Sequence, residues 1–419
     1  MLSKNIAWIF SGEMINRLSR LVTAIVLAQC LTQTEYGIAA IALASNEMIR
    51  VLTQNGIGLK IVKSSDGELG RVCRKVYRVN WFLCISLVLF QFLVSLAVAN
   101  QYGDERLVYL IVILSLSYLI YPLAMVQVFL AQRANNLKLI AIISATVIST
   151  DNLLTALFAV LDFGVLAVVI PKLIVAPLWV YLFRRNVKWL NTRVATDKPV
   201  ALFRFSFDVL GFEIMKAMRQ HMDLFIVGYF FGLAGAGLYA FAKNVGVGIS
   251  LALIAAFNSA VFPYLCSQKE NFRAFRAAYV KALTIAGVVL APAFLFQGML
   301  APFYVPIVFG QQWLEAIPIL MVLCFSAIPR CFLELNTQML RAVDATAKDL
   351  KFAVYFTVGF LLVVCVAALY SIQWISYGIL GVTVLASLVW CAHNYCCFLR
   401  SSVSFEMSYR GKNNAIICK

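Results

Sequence analysis

Residues 204–230 read RFSFDVLGFEIMKAMRQHMDLFIVGYF, an apolar run that also holds Asp208, Glu213, Lys216, Arg219, His221 and Asp223. The run is long enough to cross a bilayer. Nothing else in the chain narrows the fold so far. Lipid offers the backbone no hydrogen bonds, so only helices and closed barrels span it. Wound at 100° per residue, Asp208, Arg219, Asp223, Lys216, Gln220 and Glu213 fall within about 140° of one another, and His221 falls outside. The first span, 6–31, is built alike: Glu13, Asn16, Arg17 and Arg20 share a face roughly 100° wide. A charge at mid-membrane costs about 2.5–3.5 kcal/mol, so three of them cost roughly 8–10 kcal/mol. The Leu, Ile, Val and Phe of that span return only about 3–6 kcal/mol. These charged faces require partners or a water-filled cavity.

The remainder of the chain is of the same kind. It has 419 residues, 62% of them hydrophobic and 13% charged. Soluble domains are closer to half apolar and about a quarter charged. The apolar runs lack the alternation of barrel strands, so the expected fold is all-α integral membrane. The first apolar run is full length and carries charge, unlike a cleavable signal peptide. A net charge of +16 would suggest nucleic acid in a soluble protein. Here the excess lies in short loops and reads as topology, and no nucleic-acid partner is expected. The 11 cysteines lie mostly within apolar runs, with no pair in the outer loops and so no disulfide framework. His393, Cys396 and Cys397 share a face of the last span, read as packing rather than as a metal site.

Twelve transmembrane helices are expected, near 6–31, 37–58, 79–99, 107–131, 139–161, 165–183, 205–230, 238–265, 282–303, 314–338, 352–370 and 376–399. Loop Lys and Arg then sort almost wholly to one side, which includes the loops 60–78 and 184–204. Arg106 alone lies on the other. The basic side is cytoplasmic, so both termini are expected there. Outer loops near 32–36, 100–106, 162–164, 231–237, 304–313 and 371–375 are too short to fold by themselves.

The chain also echoes itself. Glu13-x2-Asn16-x3-Arg20 is matched by Glu213-x2-Lys216-x2-Arg219, and Tyr36-Gly37 by Gly237-Leu238-Tyr239. Gly103 matches Gly310, Pro122 matches Pro329, and LAQRANNLKL (130–139) matches LRAVDATAKDLKF (340–352). Echoes in one order imply two parallel six-helix repeats around a central cavity, 1–200 with the connecting loop and 201–419.

No catalytic constellation is present: neither GxSxG, nor a phosphate-cradling glycine loop, nor HExxH. Catalytic residues and metal ligands are therefore not expected, nor is an enzyme. Gly228-x3-Gly232 reads as close packing at a helix end. Other intramembrane charges are Glu47 and Arg50, Asp151, Lys172, Lys243, and Arg330 with Glu334. Local pairing at i,i+3 or i,i+4 is open to Glu13–Arg17, Glu213–Lys216, Glu47–Arg50 and Arg330–Glu334. Arg20 has no acidic residue at either spacing. A cationic cavity suits an anion, phosphate above all.

Three stretches carry a family resemblance: FSGEMINRLSRLVTAIVLAQCLTQTEYG (10–37), VFGQQWLEAIPIL (308–320) and LRAVDATAKDLKF (340–352). With the spans and the repeat, they resemble the polysaccharide flippases of Wzx type, in the multidrug/oligosaccharidyl-lipid/polysaccharide exporter superfamily. The resemblance implies translocation of an oligosaccharide repeat unit on undecaprenyl pyrophosphate, for O-antigen or capsule assembly. The unit would cross from the inner to the outer leaflet of a bacterial cytoplasmic membrane, by alternating access. Arg17, Arg20, Lys216, Arg219 and Arg330 would bind the substrate, and Glu13, Asp208, Glu213 and Asp223 would serve ion coupling. No cofactor is implied beyond coupling H+ or Na+. Partners would be the lipid-linked oligosaccharide, membrane lipids, a polysaccharide polymerase and a chain-length regulator. Two rivals remain open. A cation-coupled multidrug exporter would want an acidic or apolar cavity. A membrane polymerase or ligase of lipid-linked glycans would want a sizeable outer loop.

Overall fold

The computed structural model describes residues 16, 19–53, 58–64, 66–189, 206–268, 271–343 and 345–395. Every regular element among them is helical. The protein is an all-α integral membrane protein, and eight of its described helices are long and apolar enough to cross a bilayer. The chain groups into two compact units, Met1–Gly237 and Leu238–Lys419.

The first unit opens with α1 (Ser19–Cys30) and α2 (Gln33–Arg50). The outer loop expected at 32–36 is shorter, and Tyr36-Gly37 lies in α2. The cause is a capping box. The Glu35 amide donates to Thr32 Oγ1 at 3.3 Å, and the Thr32 amide donates to Glu35 Oε2 at 3.0 Å. T-x-x-E is a local start signal worth about 1 kcal/mol. Next come α3 (Leu59–Lys63) and α4 (Asp66–Tyr102). The 37 residues of α4 reach about 55 Å, against roughly 30 Å of hydrocarbon. The expected inner loop 60–78 is thus largely helix. Its Arg, Lys and Glu are good helix formers and stop the apolar run without stopping the helix.

The fourth span is broken into α5 (Arg106–Ser115), α6 (Ser117–Ile120) and α7 (Pro122–Arg133), with a 55° bend before α7. Pro122 has no N–H to continue the ladder. Arg133 closes the span by donating to the carbonyl oxygens of Ile61 and Ser64, pinning the end of α3. Asn135 takes a left-handed φ of 53°, and the Asn136 side chain caps α8 (Leu137–Val160). The motif at 130–139 is a stop and restart of helices. A tight turn then leads to α9 (Leu166–Asn186).

Helix α10 (Ser206–Ser267) holds the seventh and eighth expected spans, separated only at Gly232, with φ 71° and ψ −175°. The outer loop expected at 231–237 is one residue, and 233–237 is helical. Gly228 supports the close-packing reading, since a Cβ there would meet Tyr102 at 2.8 Å and Ile41 at 3.1 Å. Gly232 does not: nothing lies within 4 Å, and its role is conformational. Gly37 and Gly237 exchange contacts. A Cβ on Gly37 would fall 1.9 Å from the Leu233 oxygen, and one on Gly237 would fall 1.9 Å from the Gln33 oxygen.

The second unit continues with α11 (Phe272–Ile285), a π-helical turn, α12 (Ala291–Met299) and α13 (Ala301–Tyr304). It ends with α14 (Ile317–Ala342), α15 (Thr346–Ala368) and α16 (Ile372–Asn394). Helix α14 packs on α16, α12 and α15. Gly310, with φ 104°, turns the chain so that Trp313 enters the core and stacks on Phe241 at 4.1 Å. At the end of α14, Thr337 donates to Asp349 at 3.0 Å, with Arg341 3.8 Å away. His393 stacks on Trp390, while Cys396 and Cys397 lie outside the described residues.

Candidate functional site

Three helices of the first unit meet in a polar layer inside otherwise apolar spans. On α8, the Asn152 amide donates to Ser19 Oγ of α1 at 2.9 Å, and Thr23 Oγ1 of α1 donates to the Asn152 carbonyl at 2.8 Å. The preceding residue, Asp151, faces α9 and receives Lys172 Nζ on Oδ2 at 2.8 Å. Its other oxygen, Oδ1, is buried and has no hydrogen-bond partner. Arg20, next to Ser19, is exposed and has no ion-pair partner among the described residues. The layer thus holds the Asp151–Lys172 ion pair on α8 and α9, while α1 carries Arg20 next to the Ser19 that bonds Asn152.

The pairing of Asp151 with Lys172 was not expected from the sequence, although both charges were noted. A signal was available. The turn of the α8–α9 hairpin holds Asp162, with φ 58°, and Gly164. Asp151 precedes Asp162 by 11 residues and Lys172 follows Gly164 by 8, an offset of about 4.5 Å along the axes that a lysine side chain can span. Ser19, Thr23 and Asn152 gave no such signal, because short polar side chains are ordinary in spanning helices.

The charged face expected on α10 is partly visible. Asp208 lies in the first turn of α10. Lys216 is exposed, while Glu213 and Arg219 are half-buried. Asp223 is 2% exposed, and its Oδ1 accepts the Leu224 amide at 2.9 Å. Arg219 and Asp223 both engage other groups. The α10 span is held in the first unit by Tyr102, whose hydroxyl donates to the Phe225 carbonyl at 2.9 Å. Glu13 and Arg17 lie outside the described residues.

The local pairs divide. Arg50 Nε donates to Glu47 Oε2 at 3.2 Å, as the spacing predicts. Glu213–Lys216 and Arg330–Glu334 form no ion pair among the described residues, correcting that expectation. Such a pair returns only about 0.2–0.5 kcal/mol, too little to hold two long side chains together. Arg330 is half-buried on α14, in the second unit. Lys243 lies 5.8 Å from the Tyr239 ring centroid.

Two uncharged networks were also missed. In the first unit, Gln91 donates to the Ile111 carbonyl at 2.9 Å and to Asn46 Oδ1 at 3.3 Å, and Tyr118 donates to Asn46 at 2.9 Å. In the second, Tyr279 and Asn394 both donate to Asn336 Oδ1, at 3.0 and 3.1 Å. All are buried and join helices far apart in sequence, which fixes packing. At the start of α5, Asp104 and Arg106 pair at 2.8 Å. The hydrogen bond from Arg106 holds the Asp104 carboxyl below the usual range. The Asp104–Arg106 pair is thus neutral overall.

The sequence pattern of the polysaccharide biosynthesis protein family matches residues 26–318. The chain belongs to that family. Among its relatives, the teichuronic acid biosynthesis protein TuaB of Bacillus subtilis is 24% identical, over 90% of this chain and 79% of its own length. The succinoglycan biosynthesis transport protein ExoT of Rhizobium meliloti is also 24% identical, over 77% of this chain and 66% of its own length. The family is the one anticipated from residues 10–37, 308–320 and 340–352. In fold, the chain is similar to the lipid II flippase MurJ in its inward closed conformation. The TM-score is 0.74 at 12% identity, over 92% of this chain and 87% of that one.

Proposed function

We propose that this protein is a flippase for undecaprenyl-pyrophosphate-linked oligosaccharide repeat units. It would move them from the inner to the outer leaflet of a bacterial cytoplasmic membrane for O-antigen, capsule or related surface-glycan assembly. The observation that carries this reading is the polar layer of α1, α8 and α9, where Arg20, next to Ser19 on α1, is exposed and has no ion-pair partner among the described residues. A cation kept at mid-span without a counter-ion among the described residues is costly, and a pyrophosphate would supply one. Guanidinium groups bind it bidentately. Membership of a polysaccharide biosynthesis family and the fold shared with MurJ support the same reading.

In this reading Arg17, Arg20, Lys216, Arg219 and Arg330 hold the anionic part of the substrate, and Glu13, Asp208, Glu213 and Asp223 balance charge and carry a coupling H+ or Na+. The six-helix repeats 1–200 and 201–419 alternate access to the cavity, with both termini cytoplasmic. A polymerase and a chain-length regulator act on the delivered unit.

The test is deletion of the gene, followed by asking which leaflet accumulates the lipid-linked repeat unit. Accumulation on the inner leaflet is expected. Accumulation of unpolymerised units on the outer leaflet would favour a polymerase or ligase. An unchanged glycan with altered drug tolerance would favour a multidrug exporter.

A further inference from the structure

A groove with a volume of about 530 Å³ opens on the first unit where α6, α7 and α9 meet. Two features of the sequence make it. Helices α6 and α7 both pack on α9, and the 55° bend ahead of Pro122 turns α7 off the line of the preceding helix. Ile120 and Leu123 flank that bend and form one wall. The other wall is α9, where Pro177 lies inside the helix and has no N–H for the ladder. Pro177, Tyr181, Arg184 and Arg185 recur at i, i+4, i+7 and i+8, one helical face, and all four are exposed. Val180, buried, lines the groove from beneath.

The groove is apolar at one end and basic at the other. Arg185 follows Pro177 by 8 residues, about 12 Å along the axis. At the basic end, Arg184 Nε donates to the Leu123 carbonyl at 2.9 Å, and Arg185 Nη1 donates to the Tyr181 hydroxyl at 2.9 Å. Each guanidinium has five N–H donors and is fixed through one of them, on a neutral acceptor. Neither forms an ion pair among the described residues, and α6, α7 and α9 contain no Asp or Glu. An arginine that only snorkels leaves its head free in water. Here both heads are held at the end of an apolar groove with their charge intact.

We infer that this groove is a site for one anionic phospholipid, with its phosphate on Arg184 and Arg185 and one acyl chain along Ile120, Leu123 and Pro177. Guanidinium forks match phosphate oxygens two at a time. Basic pockets between spanning helices take such headgroups on the cytoplasmic side, the side to which the basic loops assign the end of α9. Length decides between lipids. One leaflet is half of the hydrocarbon core, about 15 Å, and a groove of about 12 Å accepts a chain of that reach. A polyprenyl chain long enough to cross both leaflets overruns it. The bound lipid fills the gap left by the bend and holds α7 against α9.

The test uses the full chain in detergent, titrated with dioleoylphosphatidylglycerol or dioleoylphosphatidylcholine and read by native mass spectrometry. The wild type should bind its first phosphatidylglycerol about tenfold more tightly than phosphatidylcholine, whose own cation competes for the phosphate. Arg184→Gln and Arg185→Gln should each bind it about tenfold more weakly, the loss of one charge-assisted hydrogen bond. Ile120→Phe fills the groove, keeps both arginines and should also weaken binding. Lys188→Gln removes a nearby exposed charge that does not line the groove and should bind as wild type does. Equal affinity of the wild type for the two lipids would overturn the inference, and that comparison needs no variant to fold. So would a loss in Lys188→Gln as large as in Arg184→Gln, the mark of attraction to the basic end as a whole. Unchanged binding in Ile120→Phe would show that no chain enters the groove. Displacement of phosphatidylglycerol by undecaprenyl phosphate at equal mole fraction would give the groove to a carrier lipid, and a lipid-free dimer would give it to a second copy. Either result contradicts the assignment.

Discussion

At the scale of single residues, most of the specificity lies in groups too small to be noticed in an apolar run. Gly37 and Gly237 are the clearest case. Each lets the backbone of the other helix approach where a Cβ would sit 1.9 Å from a carbonyl oxygen. Gly37→Ala or Gly237→Ala should destabilise the folded protein by about 1–3 kcal/mol, as overpacking does. Gly359→Ala on α15, where nothing lies within 4 Å, should be neutral or slightly stabilising. Unfolding of the three variants in detergent gives the comparison, and a Gly37→Ala protein as stable as wild type would disprove the contact. The sequence showed the echo of Tyr36-Gly37 in Gly237-Leu238-Tyr239 but not that the two glycines touch. It showed Arg20, because charges in an apolar span are conspicuous. It did not show Asn46, Gln91 and Tyr118 as one cluster. Uncharged polar residues carry no sign, and only tertiary packing brings these three together.

At the scale of elements, the apolar runs located the spans, while their ends followed local chemistry. The run stops at the first charges of 60–78, yet α4 continues through Arg71, Arg74 and Lys75 because those residues favour helix in water as well. Conversely, 231–237 held small residues and resembled a loop, but one glycine suffices to break α10. Gly232 has a φ of 71° with ψ near 180°, a region essentially closed to residues with a Cβ. Gly232→Ala should therefore cost about 1–3 kcal/mol or force the helix to continue. Protease protection across 228–238 reads out the change, and a Gly232→Ala protein with unchanged stability and protection would show that the break has another cause. Motifs noted for the repeat or the family resemblance also have local work: Arg133 pins α3, Arg341 joins Thr337 at Asp349, and Gly310 aims Trp313 into the core.

At the scale of the whole molecule, the charge distribution predicts orientation. Reporters active only outside the cytoplasm should work when fused near Gly103 or Gly310 and fail near Lys75 or Lys198, because the basic loops stay inside. The reverse pattern would invert the topology. The central claim is transfer of a lipid-linked glycan between leaflets by a cavity that holds its pyrophosphate on arginines. The most direct measurement is the leaflet distribution of the repeat unit in the deletion strain, complemented with wild type, Arg20→Ala, Arg219→Ala or both. Membrane protein level is followed in parallel. The account predicts inner-leaflet accumulation without the gene, relief by wild type, partial relief by each single variant, and none by the double variant at a normal protein level. Full relief by the double variant at that level would contradict it.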